Sequence, residues 1–198
     1  GADSPYVQAR VFAQFPELGD NMLIPLAWIE AANARGGDAV EGPWEAGVDV
    51  ARMGSDQSAI CVRHGRRVVH EEAWSGLDTM ATVGKVRSIL AGFPQMQAVK
   101  VDVIGIGAGV ADRLAEEKYP VVEVNVAAKP RDPDAFASLR HELWWGLRER
   151  FQAGEVEGPI DDATMGQLSS LRYRYDSRHT HPVIESKEEA KKRGVSSP

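Results

Sequence analysis

The sequence predicts an α/β fold: a mixed sheet in which three antiparallel strands lead and parallel strands follow, flanked by helices and with an added C-terminal hairpin. Three observations carry this. Between Glu45 and Trp74 lie three strand-like runs joined by turns too short for a crossover. Between Asp78 and Val126 helical and strand-like patterns alternate, as they do where helices cross between parallel strands. Between Leu171 and Glu185 two short alternating runs flank a polar turn.

The chain opens with Tyr6 to Pro16, a half-apolar extended segment with nothing before it to pair with, which reads as part of a longer protein. Pro25 stands at a first helical position, and Leu26 to Asn33 supply helix formers up to the Gly36-Gly37 stop. The first strand is expected at 45–51, the second at 57–64 and the third at 66–74, with Met53 to Asp56 and Gly65 forming the turns. Asp78 is the expected N-cap of a helix over 79–91, whose Met80, Val83, Val86, Ile89 and Leu90 share one face. A buried strand at 98–103 follows, then the turn Gly105-Ile106-Gly107-Ala108-Gly109, a helix to Lys118 and a fifth strand at 121–126. A long helix over about 134–152 carries Phe136, Leu139, Leu143, Trp144, Leu147 and Phe151 as its inward stripe, leaving Glu142, Trp145, Arg148 and Glu149 more exposed. A short helix at 161–168, hairpin strands at 171–175 and 181–185, and a charged helical fragment at 187–193 complete the order. No internal repeat interrupts it.

A length of 198 residues suffices for one domain with a substantial core. The net charge of −6 argues against a general polyanion-binding surface, although a nuclease that holds metal ions carries acidic residues of its own. Basic residues are bunched at 63–67, 172–178 and 187–193, a pattern that serves a solvated face as well as a phosphate track. The single cysteine, Cys61, excludes a disulfide framework and a CxxC metal site, and its apolar neighbours put it in the core. No apolar segment approaches the roughly 20 residues of a membrane-spanning helix. The N-terminus lacks a signal-peptide layout, so a reducing cytoplasm is the expected compartment.

The chemistry centres on two aspartates inside apolar runs, Asp49 between Val48 and Val50 and Asp102 between Val101 and Val103. A carboxylate so flanked either points to the solvated face of its strand or needs a cation or donor to meet it. A right-handed crossover through the helix at 79–91 lays the fourth strand parallel to the first and beside it, which makes the two carboxylates neighbours. Their repulsion is relieved by a divalent cation with oxygen ligands, Mg²⁺ or Mn²⁺, an arrangement suited to phosphodiester hydrolysis. The turn at Gly105 to Gly109 is not a dinucleotide fingerprint, since G-x-G-x-x-G would require glycine at Val110. It is expected to be a tight turn that lets backbone approach a metal or phosphate. The five histidines show no H-E-x-x-H spacing, and neither G-x-S-x-G nor a P-loop occurs, so any ATP-driven motor must lie elsewhere.

Four groups of residues together resemble the C-terminal nuclease domain of tailed-phage terminase large subunits. They are Gly47-Val48-Asp49-Val50-Ala51-Arg52-x-Gly54-x-Asp56; Val101-Asp102-x-x-Gly105-x-Gly107-Ala108-Gly109-Val110-x-Asp112-x-Leu114; Arg140-x-Glu142-Leu143-Trp144-Trp145-x-Leu147-x-x-x-Phe151; and Ile184-Glu185-Ser186-Lys187-x-Glu189-x-x-Lys192-Arg193-Gly194-x-x-Ser197-Pro198. Asp3-Ser4-Pro5 and Phe15 to Ala32 resemble the segment that joins the ATPase motor of such proteins to the nuclease. The resemblance implies a ribonuclease H-like fold, with residues 1–44 as the linker from the motor and 45–198 as the nuclease domain.

It also implies a divalent-metal-dependent endonuclease that cuts concatemeric double-stranded DNA during packaging. Asp49 and Asp102 match the first two catalytic metal-binding acids, with Mg²⁺ or Mn²⁺ as cofactor. Asp56 matches an acidic position after the first strand, open between a loop role and support of a ligand from behind. The third metal-binding aspartate of the family follows the Ser-Pro, so it is expected beyond Pro198, and Glu185 would substitute only if the hairpin bent over the site. Without it, the chain is expected to bind metal weakly. Arg52, Arg172, Arg174 and Lys187 are the expected phosphate contacts. The implied partners are double-stranded DNA, the motor domain of the same protein, the portal and the small terminase subunit. The isolated domain is expected to be monomeric, in the host cytoplasm and transiently at the procapsid portal. The alternative is a catalytically silent ribonuclease H-like module that binds DNA or protein.

Overall fold

Three antiparallel strands lead the sheet, β1 (Trp44–Asp49), β2 (Ser58–His64) and β3 (Arg67–Trp74), with buried and outward side chains alternating along β1 and β2. Asp78 then caps α2 (Thr79–Leu90) by accepting a hydrogen bond from the Ala81 N–H at 2.7 Å. The helix leads to β4 (Ala98–Asp102), and α3 (Gly107–Glu116) leads on to β5 (Val121–Val124). The sheet order is β3-β2-β1-β4-β5, with β4 parallel to both β1 and β5. This is the mixed sheet expected from the sequence, with strand ends that differ by a residue or two.

The structure, a computed structural model, describes residues 21–36, 39–51, 56–177 and 181–194. It divides into two compact units, one of residues 37–127 and the other of residues 1–36 and 128–198. The expected segment at Tyr6 to Pro16 lies outside the described residues.

In the sheet unit the core lies on one face. Val48, Val62, Val99 and Val101 pack with Val83, Val86 and Leu90 of α2 and with Val110 and Leu114 of α3. The alternate residues of the strands fall on the opposite face. Cys61 is among them and is exposed, which corrects its expected place in the core: it stands between buried Ile60 and buried Val62, and strand alternation turns it outward.

The other unit contains α1 (Leu26–Ala34), α4 (Leu139–Ala153), α5 (Asp162–Ser170), the hairpin strands β6 (Tyr173–Tyr175) and β7 (Pro182–Ile184), and α6 (Lys187–Lys192). Its interior includes Leu23, Ile24, Ile29, Phe151, Met165, Leu171 and Ile184. The β6–β7 pairing is antiparallel, so the expected hairpin forms. Residues just ahead of α1 line up beside it: Leu23 N–H donates to Leu171 O at 2.8 Å, and Tyr173 N–H to Asn21 O at 2.7 Å.

Helix α4 departs from the sequence reading at its start and on its inner face. Asp132 Oδ1 accepts from the N–H groups of Asp134 and Ala135, both at 3.1 Å, closing a separate turn, and Ser138 caps the helix proper. Of the expected inward stripe only Phe151 is buried, and Leu143 is 45% exposed. Arg148, expected outside, donates to Met22 O at 3.1 Å and to Leu23 O, and its guanidinium lies 5.0–5.3 Å from the ring centroids of Trp28, Trp145 and Tyr173. A charged group that satisfies buried carbonyls and stacks on rings competes successfully with leucine for the inner face, and hydropathy periodicity does not register it.

Candidate metal centre

The pairing of β1 with β4 sets the centre. Glu45 is level with Ala98 and Val48 with Val101, a constant separation of 53 positions (98 − 45), and the same separation (102 − 49) puts Asp49 and Asp102 at the next level. Val48 and Val101 belong to the core face, so both aspartates belong to the other. They stand at the C-terminal ends of neighbouring parallel strands, where strands lie about 4.8 Å apart. Asp49 is exposed and Asp102 half-buried.

The turn after β4 is shaped around Asp102. The Ile104 N–H donates to Asp102 Oδ1 at 3.1 Å, which orients the carboxylate. Gly105 has φ 73°, in the left-handed region that favours glycine. At Gly107 a Cβ would stand 1.9 Å from the Asp102 carbonyl oxygen. The tight turn therefore forms, and the backbone it brings close is the end of the strand that carries Asp102.

Along the same face lies an ion cluster. Lys100 Nζ is 2.8 Å from Glu45 Oε2, and Arg63 pairs with the same oxygen. Partial burial pushes the Glu45 carboxyl up, but the Lys100 hydrogen bond and the charges of Arg63 and Lys100 outweigh it and hold the group below its ordinary value.

Two carboxylates at one level supply hard oxygen donors, a set that fits Mg²⁺ or Mn²⁺ with water or phosphate oxygens completing the shell. Among the described residues no group of three or more His, Cys, Asp or Glu side chains is placed to hold a metal. Glu185 is engaged within its own unit. It is buried, accepts from the Arg172 N–H at 2.8 Å, and is gripped by Arg193 through Nε at 3.1 Å and Nη2 at 2.6 Å.

The remaining expected site residues divide between the two units. Arg52 lies outside the described residues, and Asp56 is exposed after β1. Arg172, Arg174 and Lys187 are exposed residues of the hairpin unit, Arg174 Nη1 being 3.1 Å from Glu189 Oε1. Glu45 and Lys100 went unremarked in the sequence reading. They stand four residues before Asp49 and two before Asp102, so strand alternation alone puts them on the aspartates' face. No helix among the described residues is long and apolar enough to cross a membrane.

This sheet order, with two helices against its core face, is a ribonuclease H-like α/β fold. Within that class it shares the fold of the nuclease domains of phage large terminase subunits. A variant of the nuclease domain of the large terminase subunit gp2 of bacterial virus Sf6, with manganese and beta-thujaplicinol, is 17% identical at TM-score 0.74, covering 89% of this chain and 93% of that one. The nuclease domain of the large terminase subunit gp2 of bacterial virus Sf6 is 17% identical at TM-score 0.69, with the same coverage. The large terminase nuclease of thermophilic phage G20c with bound magnesium is 16% identical at TM-score 0.63, covering 85% of this chain and 89% of that one. At such identities the likeness is one of fold. No family model matches the sequence, and no curated protein matches it.

Proposed function

We propose that this chain is the nuclease domain of a phage DNA-packaging terminase, a divalent-metal-dependent endonuclease acting on double-stranded DNA. The observation that carries the reading is the parallel β1–β4 register, Val48 level with Val101, which extended by one residue brings Asp49 and Asp102 to one level. The likeness to terminase nucleases, some solved with manganese or magnesium, supports it.

Asp49 and Asp102 are the residues that hold Mg²⁺ or Mn²⁺. When bound, the metal supplies an activated water and charge stabilisation for hydrolysis of the phosphodiester. The chain's own part is to hold two acids in register. Ile104 fixes the Asp102 carboxylate through its N–H, and Gly107 lets α3 start close against the strand end. Arg52, Arg172, Arg174 and Lys187 contact backbone phosphates, which position DNA without reading its sequence. Residues 1–44 serve as the linker from an ATPase motor, and 45–198 as the nuclease domain. The motor, the portal and the small terminase subunit are the protein partners. The setting is the host cytoplasm and, during packaging, the portal.

Plasmid nicking in Mn²⁺ tests the reading. Asp49→Asn and Asp102→Asn are each expected to lose at least ~10²-fold in rate, the scale of losing an electrostatic contribution to the transition state. Cleavage by either variant at the parent's rate would refute it. A catalytically silent module is favoured by one observation, the lack of a third candidate ligand beside the pair among the described residues. Calorimetry discriminates: DNA binding with no Mn²⁺ binding supports the silent module.

A further inference from the structure

Gly47 stands in mid-strand on the face of the acidic pair, exposed, two residues before Asp49. Its φ lies outside the left-handed range, and among the described residues no atom comes within 4 Å of a Cβ built there. Among the described residues neither backbone conformation nor packing requires a glycine here, and glycine weakens a strand. A glycine inside a strand is often found where a ligand or another backbone approaches closely.

The cross-strand neighbours of Gly47 are Lys100 on β4 and Cys61 on β2. Lys100 is half exposed, and its ammonium carries three donors, of which Glu45 Oε2 takes one at 2.8 Å. Arg63 shares that carboxylate oxygen and also donates to Gly65 O, which pins it on the far side of Glu45 from Lys100. Two cations therefore meet on one carboxylate beside the bare Gly47 surface, with the Asp49 and Asp102 carboxylates further along the same face. Along β4, Lys100 lies about 6.6 Å from Asp102 between Cα atoms, at 3.3 Å per residue.

We propose that Gly47 and Lys100 form a phosphate subsite: the backbone phosphate next to the one at Asp49 and Asp102 lies over Gly47 and is contacted by the Lys100 ammonium, which Glu45 holds in place. The subsite rests on the reading of the acidic pair as the hydrolytic centre. Lys100 is thus a binding residue for the nucleic acid, and Glu45 a positioning residue behind it. A purely structural Lys100, serving only as Glu45's ion-pair partner, would contribute nothing to the salt dependence of DNA binding.

The test uses the whole chain and a short random-sequence DNA duplex, with affinity followed by fluorescence anisotropy across a salt series. Lys100→Gln is expected to reduce the slope of log affinity against log salt by ~0.9, the release of about one counterion, and Lys100→Arg to restore it. Gly47→Val, whose side chain enters space the chain leaves open, is expected to keep the parent's melting temperature and to weaken DNA binding. Mn²⁺ affinity is expected to be unchanged in all three. A folded Lys100→Gln variant with the parent's slope, or Gly47→Val binding DNA as the parent does, overturns the subsite. Nicking by Asp102→Asn is measured alongside. If that variant cuts like the parent while Lys100→Gln loses slope, the hydrolytic reading falls and the phosphate contact stands; the reverse pattern removes the subsite alone.

Discussion

Gly107 shows how a single residue fixes the geometry of the acidic pair. Any Cβ at this position would stand 1.9 Å from the Asp102 carbonyl oxygen, so either the strand end or the start of α3 must move. Gly107→Ala is therefore expected to destabilise the chain by about 1–3 kcal/mol, the usual cost of overpacking, and to displace Asp102. Urea unfolding checks the first effect and Mn²⁺ calorimetry the second, since affinity should fall with stability. Arg148 is the corresponding residue of the hairpin unit. Arg148→Met keeps much of the apolar stem but strips the donors from Met22 O and Leu23 O and the cation from three rings. A loss of about 2–3 kcal/mol follows from the orphaned carbonyls and lost ring contacts, measurable as a lower urea midpoint.

At the scale of elements, α4 and the hairpin strand β7 are joined by a contact that depends on pH. His141 Nδ1 accepts from the Ile184 N–H at 3.3 Å, so it must be unprotonated, while Arg140 donates to Ile184 O at 3.3 Å and Glu185 O at 2.9 Å. Burial, followed by the charges of Arg140 and Arg174, lowers the His141 pKa from its ordinary 6.5. The folded state thus takes up this proton less readily than the unfolded one. Its contribution to stability is complete above pH 6.5, declines as pH falls below that value, and stops changing once the pH is below the folded-state pKa. Chemical denaturation on either side of pH 6.5 should show this decline in the parent and a smaller one in His141→Gln. The start of α4 is separately testable. Ser138→Ala is expected to cost about 1 kcal/mol and to fray the first turn, seen as faster amide exchange there.

For the molecule as a whole, the buried core of the sheet unit, among the described residues, is drawn from residues within 37–127. A fragment of those residues is therefore expected to fold alone, with dispersed NMR amide signals and a single cooperative melt. The same unit contains both acids, so Mn²⁺ at 100 times its dissociation constant should stabilise the fragment by about 2.7 kcal/mol, and Asp49→Asn should abolish that shift. A fragment that folds without responding to Mn²⁺ would locate the failure in the metal site rather than in the fold.

Much of this was legible in the residues. Alternating valines marked strands, Asp78 marked a helix start, short turns forced antiparallel neighbours, and an interposed helix allowed a parallel strand beside the first, because these signals are local and act through backbone geometry. The acidic pair was legible in outline, since two aspartates in apolar runs at comparable strand positions drew notice before any register was known. Three-dimensional packing decided the rest. The 53-residue register that makes Asp49 and Asp102 level is a property of pairing between strands. The inner face of α4, the outward turn of Cys61 and the capture of Glu185 by Arg193 depend on which surfaces meet, and composition along one element carries no record of its neighbours.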